Sequence, residues 1–413
     1  MDRAELAGLL GVAGVVAKGA CGSIVVEEPA PQRFMAAFAS AVAAGGPVFL
    51  ADPTWGPAER GEMTTALSQS PINDRRSEKS RGWLMVPSGG TGGRLKFARH
   101  DEDTISAAVR GFCAHFGLTQ VNAVGVLPLH HVSGLMAWMR CALTGGEYVS
   151  WDWKQLEAGD TPAPREGTWV LSLVPTQLQR LLESRAAIAW LRRFHVIFLG
   201  GGPVWPELTD AAAGAGLRLS LSYGMTETAA MIAALRPEEV LAGGRSSGSV
   251  MPHARVRIDE SEQVVSITGD SVFRGYWPEW NDAREVATED LGRIDERGHL
   301  HILGRRDAMI ISGGKKVQPA DVEAALRASG EFSDVAVIGV PDREWGEVVV
   351  ACYPAADGRT PDIGRAAASL AAFQRPKRFV AITPWPRTAQ GKVNRVALLK
   401  ALSTQRSAFS GQQ

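Results

Sequence analysis

Thr168-Trp169-Val170-Leu171-Ser172-Leu173-Val174, then Thr176 to Ala189, then Val196-Ile197-Phe198-Leu199-Gly200, then Pro206 to Ala215 form the stretch that decides the fold. The first and third segments are short and apolar and read as buried strands. The second and fourth carry a helical pattern. Gly46-Pro47-Val48-Phe49-Leu50-Ala51 and Ala123-Val124-Gly125-Val126-Leu127 read as further strands of the same kind. Strands alternating with helices imply mostly parallel sheets with helices packed on their faces, so the expected class is α/β.

The pattern changes after about residue 248. Val256 to Ile258, Val264 to Thr268 and His299 to Leu303 read as short strands of a small, mostly antiparallel β region. Val317 to Arg327 follows as a helix opened by Gln318-Pro319, with proline in the first turn. Val335 to Val340 and Val348 to Tyr353 are strands, Ala366 to Ala372 is a helix, and Thr404 to Gln413 is a polar tail expected to fray.

The 413 residues carry 44 Lys+Arg and 44 Asp+Glu. This zero balance argues against bulk nucleic-acid or acidic-membrane binding. The length suggests two or three domains. The cysteines, Cys21, Cys113, Cys141 and Cys352, stand singly with no CxxC, and read as inert thiols. The N-terminus lacks the basic region of a signal peptide, and there is no apolar run of about 18 residues. The expected setting is cytoplasmic.

Pro87-Ser88-Gly89-Gly90-Thr91-Gly92-Gly93-Arg94-Leu95-Lys96 packs four glycines, two hydroxyls and two cations into ten residues. Such a loop turns backbone N–H groups inward and suits polyphosphate, or else is a plain surface loop. It lacks the GxxxxGK[ST] spacing. Ser222-Tyr223-Gly224-Met225-Thr226-Glu227-Thr228 follows the strand-like Leu217 to Leu221. It therefore falls at a strand's C-terminal end, where open α/β sheets bind ligands. Tyr223 offers a stacking face, and Glu227 a hard oxygen for Mg²⁺. Gly304-Arg305-Arg306-Asp307 and the following run to Lys316 suggest a junction, and Pro386 to Lys392 is a loop ending in Gly391-Lys392.

Two patterns read as decoys. Gly244-Arg245-Ser246-Ser247-Gly248 fits GxSxG, but the strand-turn-helix setting of a nucleophile elbow is missing. His130-His131 could suggest a metal, but neighbours on a strand point to opposite faces.

Taken together and in this order, from about Val86 to Asn394, these segments resemble the adenylate-forming superfamily of acyl-CoA synthetases, luciferases and peptide-synthetase adenylation domains. The resemblance implies ATP, Mg²⁺ and coenzyme A as reactants and cofactor, with a small carboxylic acid as substrate. It makes Ser88, Gly89, Gly90, Thr91, Gly92 and Lys96 the phosphate loop. Tyr223, Gly224, Met225 and Thr226 become the adenine motif, Glu227 the magnesium ligand, Asp290 the ribose contact, and Arg305 a further ATP contact. Leu127 to Gly134 resembles the acyl-pocket motif and brings in His131 and Ser133. Asp307 is the implied hinge, Ser312-Gly313-Gly314 the implied edge for the CoA arm, and Lys392 the lysine that reaches the reacting carboxylate. The catalytic set is thus Lys392, Glu227 and Thr226.

The expected organisation is a large N-terminal domain, 1–306, and a smaller, mobile C-terminal α+β lid, 307–413. Gly90, Arg94, Lys96 and Glu289 depart from the family pattern, which normally has a hydroxyl, a proline, a lysine one residue earlier and a glycine. Within the superfamily, Ser172 to Leu178, Phe198 to Pro203 and the short leader most resemble the 2-succinylbenzoate–CoA ligases of menaquinone and phylloquinone synthesis. That resemblance adds Gln177, Gly200, Gly201, Gly202 and Thr228 to the acyl site. The alternatives are another aryl- or acyl-CoA ligase and a non-catalytic ATP- or acyl-binding relative. No nucleic-acid or membrane-inserted partner is expected, and self-association into a homo-oligomer stays open.

Overall fold

The deciding stretch folds as strand, helices, strand, helix. Trp169–Leu173 and Val196–Leu199 are parallel neighbours, with Val170 opposite Val196. Leu171, Ile197 and Leu199 are fully buried, each contributing about 1.5–3 kcal/mol. The helix expected over Thr176 to Ala189 is two helices, Pro175–Leu181 and Arg185–Leu191. The break falls at Ser184, whose Oγ accepts from Ala187 N at 3.3 Å and starts the second helix as its N-cap.

The computed structural model describes residues 1–11, 22–69, 82–89, 95–163, 166–281, 283–355, 360–387 and 393–410, with side chains of the last helix described to 402. The central sheet has seven strands in the order Ser249–Val250, Ala230–Ala234, Leu219–Met225, Val196–Leu199, Trp169–Leu173, Asn122–Gly125, Tyr148–Ser150. It is parallel from Leu219–Met225 to Tyr148–Ser150 and antiparallel at the other edge. A four-stranded sheet orders Ile24–Val26, Val48–Leu50, Leu84–Gly89 and Leu95–His100, the last pair antiparallel. The helices Pro31–Ala44 and Val132–Thr144 bury Phe34, Phe38, Leu135 and Met139 in the core beside it. The α/β class, with mostly parallel sheets, holds.

The β region after residue 248 pairs Ala254–Ile258 with Val264–Gly269 antiparallel, and continues through Glu285–Ile294 and Leu300–Arg305. The ten-residue strand Glu285–Ile294 was not foreseen. Its polar sequence masks alternation, because charged side chains occupy positions that bond to arginines.

The chain divides into two units. One comprises Met1–Asp259, Val265–Thr288 and Ile294–His301; the other comprises Glu260–Val264, Glu289–Arg293 and Ile302–Gln413. The second unit holds Ile310–Ser312, Lys315–Val317, Ala336–Asp342, Gly346–Pro354 and Arg378–Ile382 as one sheet, with the helix Pro319–Ala328 packed on it. The helix expected over Ala366 to Ala372 instead spans Ile363–Ala366, started early by Asp362, whose Oδ1 accepts from Arg365 N at 3.1 Å. The C-terminal tail, expected to fray, continues as the helix Arg395–Ser410.

Candidate active site

Ser88 and Gly89 end the strand Leu84–Gly89 and pair with Lys96 and Leu95 across the antiparallel ladder. Gly90, Thr91 and Gly92 lie outside the described residues. Tyr223, Gly224 and Met225 end the strand Leu219–Met225, and Thr226–Thr228 forms a single 3₁₀ turn beyond it. Gly224 cannot be replaced without rearrangement, since a Cβ would lie 1.9 Å from Ala230 O.

That turn carries Glu227 to the sheet end, 7% exposed. Its Oε1 accepts from Ser88 Oγ at 2.7 Å and from Tyr276 Oη at 2.6 Å. Tyr276 arrives on a segment bound along the strand Leu95–His100. Arg99 N donates to Gly275 O, Arg274 N to Arg99 O and Trp277 N to Phe97 O, at 2.8 to 3.0 Å. Burial and the neighbouring Glu227 charge push the Tyr276 hydroxyl's pKa far above its usual value, so it stays a donor. Lys96 Nζ sits 4.9 Å above the Tyr276 ring. His100 supports the turn, with Nε2 2.7 Å from Thr226 O. Burial lowers its pKa, favouring the neutral ring.

The same segment is anchored by a buried ion pair. Arg274 Nε and Nη2 donate to Asp101 at 2.8 and 3.2 Å. Burial opposes the charge on Asp101, yet Arg274 and the Thr104 amide hold its carboxyl below the usual range. Asp101 and His100 were not singled out in sequence; Arg274 and Tyr276 fall inside the run Gly269 to Trp277, which is also similar to the family but was given no role.

Gly200, Gly201 and Gly202 follow the strand Val196–Leu199 at the same C-terminal sheet end, and a Cβ on Gly200 would meet Ser222 Oγ at 2.7 Å. His131 is the N-cap residue of the helix Val132–Thr144, and Ser133 lies in its first turn. The two histidines do not occupy a strand, which corrects the opposite-faces expectation. They sit in a turn with ring centroids 4.3 Å apart, both beside Asp52. Gln177 Oε1 accepts from Val174 N at 3.1 Å and caps its own helix. Thr228 is 0% exposed, and its hydroxyl bonds to Met225 O and Ala230 O inside the turn. The structure thus gives Gln177 a capping contact and Thr228 a place inside the turn.

In the second unit, Arg305 joins Asp290 and Asp307. Nη1 donates to Asp290 Oδ1 at 3.0 Å, and Nε and Nη2 donate to the two Asp307 oxygens at 2.9 and 3.0 Å. Glu289 is paired by Arg306 at 2.8 and 3.0 Å. Ser312 pairs with Lys315 across a tight hairpin whose Gly313 and Gly314 have φ of 54° and 74°. The Trp345 ring closes over Gly313, where a Cβ would meet it at 2.7 Å. Gly391 and Lys392 lie outside the described residues. Arg387 and Val393, which flank them, form an antiparallel bridge. Asp334 accepts from Arg387 Nη2 at 2.6 Å and Trp385 Nε1 at 2.9 Å.

The decoys resolve in different ways. Ser246 of the GxSxG pattern is buried and accepts from Gly248 N at 3.2 Å, between the helix Pro237–Leu241 and the strand Ser249–Val250, so no elbow is built. Burial raises the Cys141 and Cys352 thiols to about 12 and about 11, which makes them inert. Among the described residues, no helix is long and apolar enough to cross a membrane.

A glycine-bearing hairpin and a buried carboxylate at the C-terminal end of a parallel sheet are the parts of a nucleotide site. The sequence matches the AMP-binding enzyme family over residues 63–277, and that family's C-terminal domain over residues 321–392. The chain belongs to the AMP-binding enzyme family, as the resemblance implied. It is similar to the 2-succinylbenzoate–CoA ligase of Enterococcus faecalis, with 30% identity over 365 residues, 83% of this chain and 74% of that protein. It is also similar to the indoleacetate–CoA ligase of Aromatoleum aromaticum, 31% identical over 334 residues, 76% of this chain and 66% of that one. Among solved structures, an arginine-to-lysine variant of Escherichia coli MenE with bound OSB-AMS superposes with a TM-score of 0.75 at 26% identity, covering 98% of this chain and 92% of that one.

Proposed function

We propose that the chain is an AMP-forming acyl-CoA ligase that activates 2-succinylbenzoate, with ATP as the activating reactant and coenzyme A as the thiol, in menaquinone or phylloquinone synthesis. The observation that carries it is Glu227, a buried carboxylate fixed on one oxygen by Ser88 and Tyr276. Among the described residues its hydrogen bonds fall on Oε1 and leave Oε2 for a hard cation, and hydroxyl and carboxylate oxygens suit Mg²⁺. Bound there, Mg²⁺ would offset charge on the ATP phosphates.

The reaction divides into two displacements. The substrate carboxylate oxygen attacks the α-phosphorus, an O–P bond forms, and pyrophosphate leaves with the electron pair. The CoA thiolate then attacks the acyl carbon, a C–S bond forms and AMP leaves. Both partners in the first step are anionic, so the site must supply positive potential. Ser88, Gly89, Gly90, Thr91, Gly92 and Lys96 would hold the phosphates. Tyr223, Gly224, Met225 and Thr226 would hold the adenosine, Asp290 the ribose, Arg305 would be a further ATP contact, and Lys392 would serve the reacting carboxylate. Ser312, Gly313 and Gly314 would admit the CoA arm. Asp307 is proposed as the swivel between domains 1–306 and 307–413. His131, Ser133, Gln177, Gly200, Gly201, Gly202 and Thr228 would serve the acyl group, where a second buried carboxylate must be paired.

The name of the Enterococcus relative supports the substrate, and that of the Aromatoleum relative supplies the competing aryl acid. Pyrophosphate release is measured with 2-succinylbenzoate, indoleacetate, benzoate, 4-coumarate and medium-chain fatty acids at equal concentration. Fastest release with 2-succinylbenzoate is expected. Preference for any monocarboxylate overturns the substrate and leaves the ligase chemistry standing.

A further inference from the structure

Asp52 follows the strand Val48–Leu50, and His130 and His131 occupy the turn before the helix Val132–Thr144. Both histidines address the same carboxylate oxygen. His130 Nε2 lies 3.3 Å from Asp52 Oδ2, and His131 Nε2 4.0 Å from it. One ligand atom from each of the three residues can be chosen so that all lie within 4.8 Å of one another. The other oxygen, Oδ1, is already engaged, accepting from Thr54 N at 2.8 Å and Thr54 Oγ1 at 2.7 Å. Thr54 therefore fixes the carboxylate with Oδ2 turned toward the imidazoles. Metal-ligating carboxylates are held by outer partners in this way.

Asp52 is 3% exposed and His130 8%. Among the described residues, His130 Nε2 makes no hydrogen bond of acceptable geometry. A buried polar nitrogen in that state calls for a partner.

We propose that Asp52, His130 and His131 bind a divalent transition-metal ion of the zinc class, at a site distinct from Glu227. Two imidazole nitrogens and one carboxylate oxygen suit Zn²⁺ and its neighbours, whereas Mg²⁺ takes oxygen ligands. Zinc bonds of ~2.0–2.2 Å set tetrahedral ligand atoms roughly 3.3 Å apart. The His130–Asp52 separation of 3.3 Å already meets that spacing. Three protein ligands leave a fourth position for water or a carboxylate oxygen, as in open zinc sites.

The untagged full chain, stripped with a chelator, is titrated with Co²⁺ in excess Mg²⁺. One equivalent should bind with the intense visible bands of a four-coordinate ion, and Zn²⁺ should displace it. Thr54 is not itself a ligand; Thr54→Val removes the hydroxyl bond to Oδ1 and keeps the amide bond, so it should weaken Co²⁺ binding roughly 10–100-fold. His130→Gln and Asp52→Asn should abolish the four-coordinate spectrum, while Glu227→Gln keeps it. Circular dichroism identifies any variant that fails to fold, and His131→Ala then takes its place. Failure to bind stoichiometric Co²⁺, or a spectrum that survives in folded His130→Gln, overturns the proposal.

Discussion

Glu227 receives two hydroxyl donors on one oxygen, so its two neighbours divide the work of aiming it. Glu227→Gln keeps the shape and removes the charge. The expected result is a higher Mg²⁺ requirement and a lower kcat, read from pyrophosphate release across a Mg²⁺ titration; an unchanged titration removes the metal role. Tyr276→Phe deletes one bond to a charged group, worth about 1.5–3 kcal/mol. It should slow adenylation roughly 10–100-fold, while affinity for the acid changes little. Lys392→Ala should slow adenylation by at least ~10³, about 4 kcal/mol, yet still convert preformed acyl-adenylate to thioester. Equal loss in both steps defeats its assignment. At this scale the sequence announced Glu227 by its place after an apolar strand. It did not announce Asp52, nor that Tyr276 of the family-like run would bond to Glu227, because nothing in a carboxylate or a ring reveals which distant group it will meet. The histidine pair was legible as a pair, and its geometry was misread because a turn was taken for a strand.

Between elements, the Arg274–Asp101 pair ties the Tyr276 segment to the N-cap of the helix Glu102–Phe116. Both side chains are buried, and breaking such a pair from one side costs about 3–5 kcal/mol. Arg274→Met should lower the urea midpoint accordingly, with the second unit's unfolding unchanged. The pH dependence has a definite sign. The Asp101 carboxyl is depressed in the folded state, so its contribution is fully present above the ordinary Asp value of ~3.9. It fades as pH falls through the lower folded value. The stability gap between wild type and Asp101→Asn should therefore be flat near neutrality and close in acid; a gap that widens in acid reverses the assignment. Element order was readable from alternating apolar runs and proline-led helices. The split at Ser184 was not, because the apolar period continues across it while the cap, not the period, decides where a helix restarts.

For the whole molecule, Arg305 clasps Asp307 with two parallel bonds and Asp290 with a third. A swivel at Asp307 must keep or exchange that grip. Proline there fixes φ near −65° and removes a donor. Asp307→Pro should leave pyrophosphate release standing and block thioester formation. Survival of both half-reactions places the swivel elsewhere. The small β region was legible from the shift in pattern near residue 248, whereas the boundary set at residue 306 rested on the resemblance alone. The strand Glu285–Ile294 was not, since its acidic side chains are spent on arginines rather than on an alternating apolar face.

The way the segment 274–277 lies along the strand Leu95–His100 also sets a timetable for the growing chain. On its far side that strand has Leu84–Gly89 as a partner almost as soon as it is made. Its other edge waits for Gly275 and Trp277, which a ribosome working at ~5–20 residues per second delivers only on the order of ten seconds or more later. Throughout that interval the nascent protein carries an open β edge bearing Leu95, Phe97 and Ala98, the kind of surface that recruits strangers. A ribosome stalled anywhere between the two segments would leave that edge uncovered, so aggregation during synthesis should track translation speed over this one interval of the message.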